Sequence, residues 1–112
     1  MNPRPIAVIL GGLLAASALV PVTGAFAATA SISGKVTGWT VSSETKLSVR
    51  NENGANDVYG NYFRTGSSSQ LNVNNTGGTG TVVTTGAGSY INRHRVGVTR
   101  TGPDELSGWV YN

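Results

Sequence analysis

Cysteine is absent from this chain of 112 residues. That excludes disulfide staples, thiolate metal ligands, thiol redox chemistry and lipid attachment at an export site. Histidine occurs once, as His94, and there are only five carboxylates. No acid-rich loop with calcium spacing and no zinc-like cluster follows from so few groups, so neither metal nor cofactor is expected. Charged residues make up 12% of the chain, and the net charge of +3 is too small to argue for nucleic acid. It modestly favours an anionic envelope surface.

One long apolar run is present, and it lies at the start. Arg4 precedes Ile6 to Val20, fifteen residues in which only Ser17 is polar. Pro21 breaks the run, and Ala25-Phe26-Ala27-Ala28 holds a small-x-small triplet. A positive end, an apolar middle and a cleavage site in that order make a secretory signal over residues 1–27. The run falls short of the roughly twenty residues that span a bilayer. Cleavage after Ala27 leaves 85 residues (112 minus 27), one small domain over 28–112. The expected site of action is therefore extracellular. A domain of that size buries about 60% of its unfolded surface, so its core is thin.

What the remaining chain does have is glycine, serine, threonine and asparagine, with short β-branched and aromatic clusters between them. These residues favour turns and extended structure over helix. Strands are expected at Ser31 to Thr40, Thr45 to Arg50, Val58 to Thr65, Gln70 to Asn74, Thr81 to Thr85, Ser89 to Thr101 and Leu106 to Tyr111. Leu47 and Val49 alternate with Lys46, Ser48 and Arg50, the mark of a strand with one wet face. Asn51-Glu52-Asn53-Gly54 predicts a hairpin between the second and third strands. The fold class is all-β: a small antiparallel β-sandwich of six to seven short strands, a signature shared with small barrels.

Catalytic chemistry finds little support. Ser89, His94 and Asp104 make a triad on paper, but no nucleophile elbow frames them. Arg93 and Arg95 flank His94 and should depress its pKa, which hinders its use as a base. Gly77-Gly78-Thr79-Gly80 and Gly86-Ala87-Gly88 open no helix, so they read as turns rather than phosphate loops. No enzyme is expected.

The basic strand is the sharper feature. Arg93 and Arg95 have the same parity and project from one face. No acid lies between Arg64 and Asp104. Guanidinium forks hold phosphate oxygens in bidentate fashion. With Tyr90, Trp109 and Tyr111 nearby, these residues form the candidate binding set for a sugar-phosphate or an anionic lipid head. The competing reading is a solvated outer sheet face, with the aromatic rings packed into the core.

From Val58 to Asn112 the chain resembles the lactococcin-972-like bacteriocins, small exported β-proteins without cysteine. The similar elements are Tyr59-Gly60-Asn61-Tyr62, the Ser-rich stretch Gly66 to Ser69, and Asn74-Asn75-Thr76-Gly77 with Gly80 after it. Ala87-Gly88 then leads to Tyr90, Val96-Gly97 follows, and Trp109-Val110-Tyr111-Asn112 completes the pattern. Phe63-Arg64 stand where the family often has histidines, and Trp39 precedes Tyr59 by twenty residues instead of a few. The resemblance implies two small antiparallel sheets and antibacterial action through a cell-wall precursor that carries a pyrophosphate. No binding residue of the family maps onto this chain. The alternative is an exported structural protein that pairs strand edges with copies of itself, a homo-oligomer without antibacterial activity.

Overall fold

The computed structural model describes residues 28–54 and 56–112. The expected leader, 1–27, lies outside the described residues. All the regular structure described is strand: β1 (Thr29–Ile32), β2 (Val36–Val41), β3 (Lys46–Asn51), β4 (Val58–Arg64), β5 (Leu71–Asn75), β6 (Val82–Thr84), β7 (Ile91–Val98), β8 (Glu105–Leu106) and β9 (Val110–Tyr111). They form two antiparallel sheets, so the chain is all-β. One sheet has the order β1-β2-β3-β6, and the other has β5-β4-β7-β8 with β9 also on β7.

Among the described residues there are nine strands where six or seven are expected, for two local reasons. The first expected strand is a hairpin, folded at Gly34 with φ +72°, which joins β1 to β2. The last is split. Ser107 interrupts it, donating its backbone N–H to the Val96 carbonyl while its hydroxyl accepts the Val96 N–H, both at 2.9 Å. Two two-residue strands on β7 result.

The Asn-Gly signal also has a different outcome. β3 and β4 lie in different sheets, so the segment between them is a crossover and not a hairpin. The Asn51 side chain decides this. It is fully buried, and its Oδ1 accepts the N–H groups of Asn53 and Gly54 at 3.1 and 2.7 Å. Its Nδ2 donates to the carbonyls of Asn56 and Gly77, both at 3.1 Å. Asn75 repeats the device. It donates to Val49 and Thr81 carbonyls at 2.9 Å and accepts from Gly77 N–H and the Thr81 hydroxyl. Each amide has two donors and two acceptor sites, and both residues use all four. Burial without an unmet hydrogen bond is what makes two interior asparagines tolerable here. They pin Asn53, Gly54 and Asn56 and the 76–81 segment to one end of the sandwich. The Gly77 and Gly80 amides are consumed there as well, by Asn75 Oδ1 and the Asn51 carbonyl.

The opposite end is fastened by Arg64. Its guanidinium donates to the carbonyls of Thr45, Ser89 and Gly86 at 2.9, 2.6 and 3.0 Å. Thr45 ends the β2–β3 turn, where Ser42, Ser43 and Glu44 all have left-handed backbone, φ 55° to 59°. Non-glycine residues in that region cost about 1–2 kcal/mol each. The turn is closed by Thr45, whose N–H and hydroxyl both donate to the Ser42 carbonyl, and by Ile91 N–H, which donates to the Glu44 carbonyl.

Between the sheets sits one core: Ala30, Val36, Leu47, Val49, Val58, Tyr62, Ile91, Val96 and Val98. Leu71 and Val73 face that side of β5, although only Val73 packs against the cluster. Gly60 lies where the sheets approach closely; a Cβ there would stand 2.8 Å from Leu47 and 2.9 Å from Val49.

Candidate functional site

β4 and β7 form the central rib of the five-stranded sheet. Their register runs from Val58 opposite Val98 to Phe63 opposite Arg93. Alternation sends Gly60 and Tyr62, His94, Val96 and Val98 inward. It sends Tyr59, Asn61 and Phe63, with Arg93, Arg95 and Gly97, outward. The register then shifts, so that Arg64 faces Ile91 and Asn92 is the extra residue of a bulge. Ile91 has the same numerical parity as Arg93, yet it is fully buried, because the bulge turns the chain over.

Arg93 and Arg95 therefore share the outer face. Arg93 Cζ stands 4.1 Å from the Phe63 ring centroid, 4.7 Å from that of Trp109 and 6.0 Å from that of Tyr111. Arg95 Cζ stands 4.5 Å from the Trp109 centroid. Phe63 and Trp109 are themselves in tilted contact, with centroids 5.4 Å apart. β9 is placed for this by pairing Tyr111 with Arg93 and Val110 with His94. Asn112 completes the dock by donating N–H to the Asn92 carbonyl and Nδ2 to the Ile91 carbonyl, both at 3.0 Å.

Neither arginine has a carboxylate partner among the described residues. Arg93 donates to the Tyr111 hydroxyl at a long 3.4 Å, and Arg95 Nε donates to Asn61 Oδ1 at 3.1 Å. A guanidinium has five N–H donors, so about four on each remain for an outside acceptor. The nearby acids have other partners. Glu105 meets Lys35 at 2.8 Å and Arg100 at 3.6 Å, Glu52 meets Arg50 at 3.2 Å, and Asp104 accepts from the Tyr59 hydroxyl at 2.6 Å. Lys35 beside Glu105 holds its carboxyl below the ordinary value. Burial, followed by the Asp104 hydrogen bond and charge, pushes the Tyr59 hydroxyl up to about 12. The Tyr59 ring packs against Gly97, where a Cβ would overlap it.

Four of the five expected binding residues come together: Arg93, Arg95, Trp109 and Tyr111. Tyr90 does not join them. It precedes β7 beyond the bulge, is 39% exposed, and shares no ring or cation contact with the cluster. Phe63 and Asn61 were absent from the expected set and belong to it. The signal was available, because alternation along β4 puts both on the side of Tyr59.

His94 points into the interior and is fully buried. Its Nδ1 faces Asn112 Nδ2 at 3.4 Å, and Nε2 has no hydrogen-bond partner of ordinary geometry. Its pKa is lowered, as the sequence predicts, but by burial, with the Gly38 backbone offsetting part of the effect. The flanking arginines are not the cause, since they project from the opposite face. Ser89 donates to the Thr65 carbonyl and Asp104 is taken by Tyr59, so the paper triad is not assembled.

The class defined by this geometry is a small two-sheet β-protein with an arginine–aromatic cluster whose two guanidinium groups have no carboxylate partner among the described residues. Compared with family models, curated proteins and solved structures, the chain matches none.

Proposed function

We propose that the protein is a secreted binder of an anionic cell-envelope component, acting by surface contact, with bacteriocin-like antibacterial activity. The observation that carries the binding half is the pair Arg93 and Arg95, braced by three rings and without a carboxylate partner among the described residues. Cations left unpaired on a fixed platform suit a phosphate or pyrophosphate oxygen better than they suit a solvated surface. The ring contacts restrict both side chains before binding, which lowers the entropy lost when they grip a ligand. The antibacterial half rests on the sequence resemblance, and the extracellular site on the leader-like start.

Vesicles carrying a pyrophosphate-linked wall precursor test the binding. The unaltered protein should bind them, and Arg93→Ala with Arg95→Ala should weaken binding by at least about a hundredfold, given ~1.5–3 kcal/mol per charged hydrogen bond. Equal binding by the variant would remove the arginines from the site. Growth inhibition of susceptible cells, lost in the same variant, would join the two halves.

A further inference from the structure

The outer face beside the arginines has a second feature that anion binding leaves unused. β5 reads Leu71-Asn72-Val73-Asn74-Asn75, and asparagine is a poor strand former. Asn72 and Asn74 lie opposite Asn61 and Tyr59 on the outer side. Arg95 Nε donates to Asn61 Oδ1 at 3.1 Å, Asn61 Nδ2 donates to Asn72 Oδ1 at 2.9 Å, and Asn72 Nδ2 donates to Asn74 Oδ1 at 2.7 Å. One directed chain of amides thus runs from the guanidinium to the sheet edge.

The neighbouring Asn75 shows what a purely structural asparagine does here. It is fully buried, and all four of its hydrogen-bonding positions are filled. Asn72 and Asn74 are exposed, the first with two of its four hydrogen-bonding positions used and the second with one. Asn72 keeps one N–H and one lone pair, and Asn74 keeps both N–H groups. These two amides stand about 7 Å apart along the strand and present mixed donors and acceptors on the outer side. Sugar hydroxyls, which donate and accept alike, match that pattern; an acyl chain or a bare phosphate does not.

The geometry points to a saccharide subsite on the exposed Asn72 and Asn74, backed by the buried Asn61, where the uncharged sugar of a phosphorylated glycan lies while its phosphate sits on Arg93 and Arg95. This assignment rests on the anion-binding reading above. The shared chemistry is a phosphate ester, which a glycan or a lipid head can supply, and the amide row favours the glycan.

Calorimetry with three probes tests it: inorganic phosphate, a disaccharide 1-phosphate, and vesicles of anionic phospholipid. The protein should bind the sugar phosphate about tenfold tighter than inorganic phosphate, from one or two amide hydrogen bonds. Asn72→Val with Asn74→Val should erase that preference and leave inorganic phosphate binding unchanged. Valine favours strands, so the variant keeps its fold, and an unchanged near-ultraviolet dichroism spectrum verifies it. A preference that survives the substitution overturns the subsite and leaves the arginine reading standing. Tighter binding to vesicles than to the sugar phosphate overturns it in favour of a lipid surface. Dimers that the valine variant dissolves overturn it in favour of self-contact. No binding of any probe by the unaltered protein overturns both readings together.

Discussion

On the outer face of the four-stranded sheet, Arg50 meets Glu52 at 3.2 Å, and Ser48 and Thr84 exchange a hydrogen bond at 2.8 Å. On the outer face of the five-stranded sheet, Arg93 and Arg95 meet rings and one amide, and no acid among the described residues. Both faces alternate from the same core, and each has one tryptophan, Trp39 or Trp109. What separates Arg50 from Arg93 and Arg95 is whether the guanidinium's carboxylate is supplied from within. On the first face Glu52 supplies it. The second is left open to an acceptor from outside.

The largest effect should come from exchanging the arginines. Arg50→Ala should leave anion binding unchanged, because exposed ion pairs such as Arg50–Glu52 contribute about 0–1 kcal/mol to stability and this one is far from the site. Loss of binding with Arg50→Ala as great as with the Arg93 and Arg95 pair would break the distinction between the faces. The tryptophans give a finer comparison. Trp109→Ala removes the ring that holds both guanidinium groups, and affinity should fall by about tenfold, from ~1–2 kcal/mol of cation–π contact. Trp39→Ala should leave affinity as it was.

A smaller effect concerns acid. The His94 pKa lies below the 6.5 of an unperturbed imidazole, so the unfolded chain binds the proton more readily. Stability is then complete above pH 6.5 and falls as pH drops below that value. Because Asn112 touches both His94 and the β9 dock, the loss should reach Trp109. In Trp39→Phe, with Trp109 the single indole, the denaturant midpoint should fall between pH 7.5 and 5; His94→Leu should flatten this dependence. A midpoint that rises on acidification would contradict it.

The smallest effect is alkaline. Tyr59 is pushed up to about 12 from an ordinary 10.0, so its contribution is present below pH 10 and lost as pH rises toward 12. Asp104→Asn should bring the Tyr59 titration back toward 10, read by phenolate absorbance.

Much of this was legible in the chain. Period-two alternation placed Leu47 and Val49 inside and put Arg93 and Arg95 on one face, because strand geometry leaves a side chain two choices. What alternation cannot foresee is a residue that breaks the count. The bulge at Asn92 sent Ile91 into the core against its parity, while Tyr90 has the parity of His94 and not of the arginines, and precedes β7. The Asn-Gly turn misled for a related reason. Its local preference is real, but Asn51 Oδ1 takes up two loop amides and turns the chain toward the other sheet. The aromatic residues were ambiguous by nature, because a ring that braces a cation has the same composition as one that fills a core. Only Tyr62 among the tyrosines and tryptophans is buried.

The rib of β4 and β7 has one more consequence. Its partners lie between 27 residues apart (Arg64 and Ile91) and 40 apart (Val58 and Val98) along the chain. The segment between them must be gathered before the first rung can close, and such non-local pairing slows folding to the order of milliseconds to seconds. Here the delay is built into the topology, because the central pair of strands cannot meet until β7 has been made and released.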